Sequence, residues 1–188
     1  MLQKGALSSA FSTYWQDMNL CRANKAYWCL LHVTICLPDI CAALQSNTGE
    51  TSGGLYKKWC DQFLNDPRLT GAEAWEMRCK VLHQGRATTT KPGRYYGFAF
   101  GQPALNGTVD HKRINGNVLH LDVGMFSDEM KQAVEKWIHH IESNLQSTQA
   151  VAVEKNLSSL VKVTSVRIRA PSGPSGGGFQ ISTIIKTH

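Results

Sequence analysis

Apolar residues in this chain recur with helical spacing over the first half and alternate with polar ones only after Thr88. Residues 7–21 pattern as a first amphipathic helix. A clearer one is predicted from Asn24, whose side chain suits an N-cap, to about Gln45. Tyr27, Leu30, Thr34, Leu37, Cys41 and Leu44 make one seam along it, and positions 33 and 40 are apolar too. A helix apolar around most of its circumference belongs in the middle of a bundle. Pro38 should bend it by removing a donor and crowding the Thr34 carbonyl.

Residues 47–54 are rich in Gly, Ser and Thr and predict a turn, followed by a helix over Leu55–Leu64 with Tyr56, Trp59, Cys60 and Phe63 on one side. Asp66-Pro67 ends it. Thr70 and Glu73 have the spacing of a capping box, opening a helix from Gly71 to about Gln84 that Gly85 stops. Further on, Tyr96, Phe98 and Phe100 alternate with small residues, and Leu119, Leu121 and Val123 with His120 and Asp122. With Asn106-Gly107 and Asn115-Gly116 as turn signals, this predicts a small antiparallel hairpin or three-strand sheet. Ser127 then reads as the cap of an amphipathic helix carrying Met130, Val134, Trp137, Ile138, Ile141 and Leu145. Val161–Arg169 reads as a strand and residues 171–178 as a Gly/Ser/Pro linker.

The expectation is a mainly α fold: a helical bundle over 1–90, a β-hairpin or sheet plus amphipathic helix packed on it over 91–150, and a strand-like segment with a flexible tail over 151–188. At 188 residues, this is one main domain with an appendage. Six cysteines all precede residue 80, mostly among apolar residues, with no Cys-x-x-Cys pair and no leader before them. Reduced thiols and a cytoplasmic address are expected. The longest apolar run, 26–37, is too short to span a bilayer and contains His32, so no membrane partner is expected.

Charge narrows the partner. A net charge of +6 favours a polyanion, and Arg78, Lys80, Arg86, Lys91, Arg94, Lys112 and Arg113 are opposed along that stretch only by Asp110. Lys80, Arg86, Lys91 and Arg94 are therefore the candidate residues to contact a polyanion, which the resemblance given below would make RNA. The competing reading is a solvated surface kept soluble by its charge. Cys29, His32, Cys36 and Asp39 share a helical stripe, but four metal ligands from one helix are sterically poor. His120, Asp122, His139 and His140 are a second set that a metal-dependent phosphoesterase would need. No cofactor is expected, and Gly176-Gly177-Gly178 lacks the strand, helix and Lys of a phosphate loop.

One segment carries chemistry. Arg78-Cys79-Lys80-Val81-Leu82-His83 sets a permanent cation beside a group that titrates near neutrality. Metal-free RNA cleavage needs those types: an imidazole to move protons and a guanidinium over the phosphorus centre. On an ideal helix the two side chains diverge by about 140°, so one helix is not expected to aim both at a single point. Asp39 is costly within an apolar helix unless paired, and it is assigned to orient Arg78. The competing readings are that Arg78 bridges Asp39 or Glu73 for stability alone, that His83 merely faces the helix dipole, and that the Pro38 bend turns Asp39 to solvent.

Arg78, four residues, then His83 resembles the Arg-x(4 to 6)-His signature of the HEPN superfamily, all-helical domains that commonly dimerise and include many metal-independent endoribonucleases. The buried helix with Pro38-Asp39 and the helix with Trp59 and Phe63 extend the resemblance over residues 24–85. Cys79 departs from it, since the better-characterised nucleases more often carry Asn, Asp or His there. The resemblance implies a HEPN-like antiparallel bundle, a homodimer whose composite cleft holds two copies of Arg78 and His83, RNA as substrate, and a toxin- or defence-type role with an antitoxin or other partner protein. The alternative it leaves is a non-catalytic dimeric module that binds RNA, a nucleotide or a protein.

Overall fold

A computed structural model of the chain describes residues 2–88, 93–102 and 110–160. Nearly all of these belong to one compact unit, Met1–Ser158. Its helices are α1 (Ala6–Ala23), α2 (Tyr27–Leu44), α3 (Gly53–Trp59), α4 (Gly71–Gln84), α5 (Val123–Glu142) and α6 (Thr148–Leu157). A small sheet of β1 (Gly97–Gly101), β2 (Arg113–Asn115) and β3 (Val118–Asp122) completes it. The fold is mainly helical with a mixed three-stranded sheet.

α2 is the central element, packed by α1, α3, α4, α5 and α6. Its inner arc, Leu30, Leu31, Thr34, Ile35, Leu37, Pro38, Cys41, Ala42 and Leu44, is buried. It meets Leu7 and Phe11 of α1, Tyr56 and Trp59 of α3, Met77 of α4 and Phe126, Val134 and Trp137 of α5 in one core. Pro38 lies inside the helix as read from the sequence. The whole of α2 is long and apolar enough to cross a membrane by length and composition, more than the run over 26–37 suggested, and half of it is buried inside the protein.

Side chains close the helix ends. Asn24 is not the N-cap of α2: it terminates α1, its Nδ2 donating to the Leu20 carbonyl at 2.9 Å, because Lys25 turns the chain with φ +56°. Asn156 of α6 donates to the carbonyls of Leu44 at 3.0 Å and Ser46 at 2.8 Å, satisfying acceptors that the end of α2 leaves over. The predicted helix over 55–64 is α-helical only to Trp59. Cys60–Leu64 widens into a π turn ended by Asn65 in the left-handed region. The capping box of α4 is present, with Glu73 accepting from the Thr70 amide at 2.9 Å, and Gly85 takes φ +57°. Gly71 allows α3 and α4 to touch: a Cβ there would lie 2.1 Å from the Lys57 carbonyl oxygen.

The sheet departs from the expected antiparallel form. Its order is β1-β3-β2; β2 and β3 are the antiparallel hairpin, turned at Gly116 with φ +57°, but β1 runs parallel to β3. Alternation of side chains is common to both directions, so the pattern could not choose between them. Asn106-Gly107 lies outside the described residues.

α5 begins directly after β3, capped by Asp122, whose Oδ1 accepts from the Met125 amide at 2.8 Å. Ser127 is therefore not the cap. It is buried inside the helix, where its hydroxyl receives Arg22 at 2.6 Å and ties α1 to α5. The stripe of Met130, Val134, Trp137, Ile138 and Ile141 is buried as expected, whereas Leu145 lies past the helix end and is half-buried. α6 runs across position 150, where the tail was expected to begin. The strand expected at 161–169 and the linker at 171–178 lie outside the described residues.

Candidate active site

The last turns of α4 carry Arg78 and His83, and α2 supplies Asp39. The Arg78 Nε donates to Asp39 Oδ2 at 2.8 Å, with the two side chains 18% and 14% exposed, so the pair is largely withdrawn from solvent. Arg78 Nη1 also lies 2.7 Å from His83 Nε2. One helix thus brings both groups together, contrary to the divergence expected from ideal helical angles. Helical side chains lean toward the N-terminus, which tips the ring of His83 back along α4, and a five-residue rise of about 7.5 Å is within reach of the long arginine.

Trp75, one turn before Arg78, completes the setting. The guanidinium carbon sits 5.0 Å from its ring centroid, and Trp75 in turn meets Tyr56 edge-on at 5.3 Å. The Tyr56 hydroxyl donates to the Ile35 carbonyl at 3.2 Å in the turn just before Pro38. Trp75 was not singled out from the sequence, although its i,i+3 spacing from Arg78 was a usable signal.

Burial raises the Asp39 carboxyl above its ordinary value, and the hydrogen bond and charge of Arg78 only partly reverse this. Its Oδ1 is buried with no hydrogen-bond partner among the described residues. Burial alone would lower Arg78, but the hydrogen bond and charge of Asp39, reinforced by the Cys79 thiol, outweigh it and hold the guanidinium more firmly charged than usual. Cys36, one turn before Asp39, is pushed up by burial and by the neighbouring carboxylate, so it is a neutral thiol. The site therefore holds one secure cation, one partly compensated carboxylate and an imidazole.

Folding disperses the basic zone. Lys80 is buried, with Nζ 3.7 Å from Glu76. Arg94 grips both oxygens of Glu73 at 2.7 Å and the Pro67 carbonyl at 2.7 Å. Lys112 sits between Asp66 and Glu129, the latter at 2.6 Å, and Arg113 pairs with Asp110 at 3.0 Å. Carboxylates outside that stretch of sequence thus balance a zone that looked opposed by Asp110 alone. Arg86 is exposed just past Gly85, its amide closing α4 on the Lys80 carbonyl at 3.1 Å. Lys91 lies outside the described residues.

The two histidine sets are separately placed. His120 and Asp122 are on β3, just before α5, and His139 and His140 are at the far end of α5, roughly 26 Å along its axis. Among the described residues no three His, Cys, Asp or Glu side chains are grouped so as to hold a metal ion. All six cysteines are free thiols. Comparison with family models, with curated proteins and with solved structures gives no match for the chain.

Proposed function

We propose that the chain is a HEPN-like, metal-independent endoribonuclease acting on single-stranded or loop RNA. The observation that supports this reading is the unbroken contact from Asp39 through Arg78 to His83 at the accessible end of α4. In the reaction a ribose 2'-hydroxyl attacks the adjacent phosphorus and the 5'-oxygen leaves, giving a 2',3'-cyclic phosphate and a free 5'-hydroxyl. His83 takes the hydroxyl proton, Arg78 neutralises charge on the phosphoryl oxygens, and Asp39 with Trp75 fixes the guanidinium. An acid must protonate the leaving oxygen. In a homodimer, His83 of the second copy does so.

The outer arc of α2 favours such a dimer. Cys29, Val33, Cys36, Ile40 and Ala43 recur every three or four residues and none is buried, although all are apolar or nearly so. The midpoint of α2 falls beside Cys36. Antiparallel pairing of two copies about that point leaves the two Asp39 residues about 10 Å apart along the axis, close enough for one RNA strand to meet both sites.

The test is incubation of wild type, Arg78→Ala and His83→Ala with mixed RNA in excess EDTA. Cleavage by wild type alone, leaving cyclic phosphate ends, supports the nuclease. Binding without cleavage favours the non-catalytic module, and activity only on adding a metal favours a phosphoesterase. Sedimentation of wild type and Ile40→Asp reads the dimer separately.

A further inference from the structure

We infer that Arg78 keeps His83 out of action in the resting protein, and that a phosphate oxyanion binding to Arg78 is what releases it. This rests on the nuclease reading for its use but not for its chemistry. A guanidinium has only donors. At 2.7 Å from Arg78 Nη1, the Nε2 atom of His83 must be the acceptor. The imidazole is therefore neutral, with its proton on Nδ1, and the lone pair a base would use is occupied.

The guanidinium is held so that this one contact can change. Asp39 fixes its Nε edge at 2.8 Å and Trp75 covers its face at 5.0 Å, neither of which involves the Nη1 to His83 bond. An anionic phosphate oxygen makes a stronger, charge-assisted bond to Nη1 than a neutral ring nitrogen does. Once the oxygen takes that N–H, Nε2 is free. It then accepts the 2'-hydroxyl proton while Nδ1 keeps its own, so the ring ends as imidazolium and no proton is unaccounted for.

Tautomers report this directly. The full chain, labelled with nitrogen-15 at histidine, is observed by long-range proton–nitrogen NMR at a pH above the ordinary histidine range, with inorganic phosphate as the probe. Without phosphate, His83 should show the Nδ1–H form with Nε2 as a hydrogen-bonded acceptor. Saturating phosphate should break that hydrogen bond and let the ring exchange between its two tautomers, of which the Nδ1–H one is the base, leaving the other histidines unchanged. Arg78→Ala, its fold checked by near-ultraviolet circular dichroism, should lack the locked form from the outset and ignore phosphate. His83 found as Nε2–H in the resting protein, or unmoved while phosphate saturates the site, overturns the inference. RNA left intact in the EDTA assay with the tautomer change present removes the nuclease and keeps the switch. RNA cleaved with no tautomer change does the reverse.

Discussion

Two clusters in this protein each set a cation against carboxylates, and they do opposite things with it. Lys112 lies between Asp66 and Glu129, with His111 Nε2 3.2 Å from Glu129 and Arg68 donating to the Lys112 carbonyl at 2.9 Å. Two carboxylates on one ammonium leave no positive charge to offer. The cluster ties the 66–68 turn and the sheet to α5, and it holds Lys112 in the left-handed region at φ +57°, a conformation that persists only where surroundings impose it. Arg78 has one carboxylate, an imidazole and an aromatic face. It is positioned as firmly, yet it keeps charge for an anion. The difference teaches that the number of compensating charges, more than the presence of a cation, separates a clamp from a candidate site.

The largest expected effect tests the site side of that contrast. Arg78→Ala and His83→Ala should each lower RNA cleavage about 100-fold or more, the scale of losing a proton carrier or a charge stabiliser. Lys112→Ala should leave the rate per folded molecule unchanged. An equal loss in all three would erase the distinction.

Stability sharpens the clamp side. Lys112→Ala strands Asp66 and Glu129 together and should cost about 2 kcal/mol in denaturant unfolding, less than a fully buried pair because Lys112 is 19% and Glu129 30% exposed. Smaller again is Thr70→Ala, which removes the capping box at the far end of α4 and should cost about 1 kcal/mol while leaving cleavage intact, since Arg78 and His83 sit at the other end.

The smallest effect concerns Asp39 and pH. Burial holds its carboxyl above the ordinary value of 3.8, so the native state binds that proton more tightly than the unfolded chain does. The stability this lends is complete below 3.8 and is lost as pH rises through the folded value. Asp39→Asn cannot ionise, so the stability of wild type minus that of the variant should fall as pH rises across this window. A difference that grows with pH would mean that Arg78 outweighs burial, and the site would then resemble the Lys112 clamp.

Much of the helical half was legible because its signals are local. Helical periodicity marked α2, and Glu73 three positions after Thr70 and Gly85 after Gln84 marked the two ends of α4. Those patterns depend on 3.6 residues per turn and on backbone groups that need caps, which neighbours in sequence can supply. The candidate site was legible in part: Asp39, Arg78 and His83 were named from their residue types, but the contact between Arg78 and His83 was not, because ideal helix angles ignore the lean and reach of long side chains.

By itself the sequence determined the apolar α2, the capped α4 and the residue types at its end, since each follows from chemistry within a few positions. Tertiary structure decided most of which cations stay available: Asp66, Glu73 and Glu129 reach Lys112 and Arg94 only through folding, and pairing depends on distance in space. It also decided that β1 runs parallel to β3 and that Asp122, not Ser127, opens α5. Alternation carries no strand direction, and either of two capping residues fits the same apolar stripe.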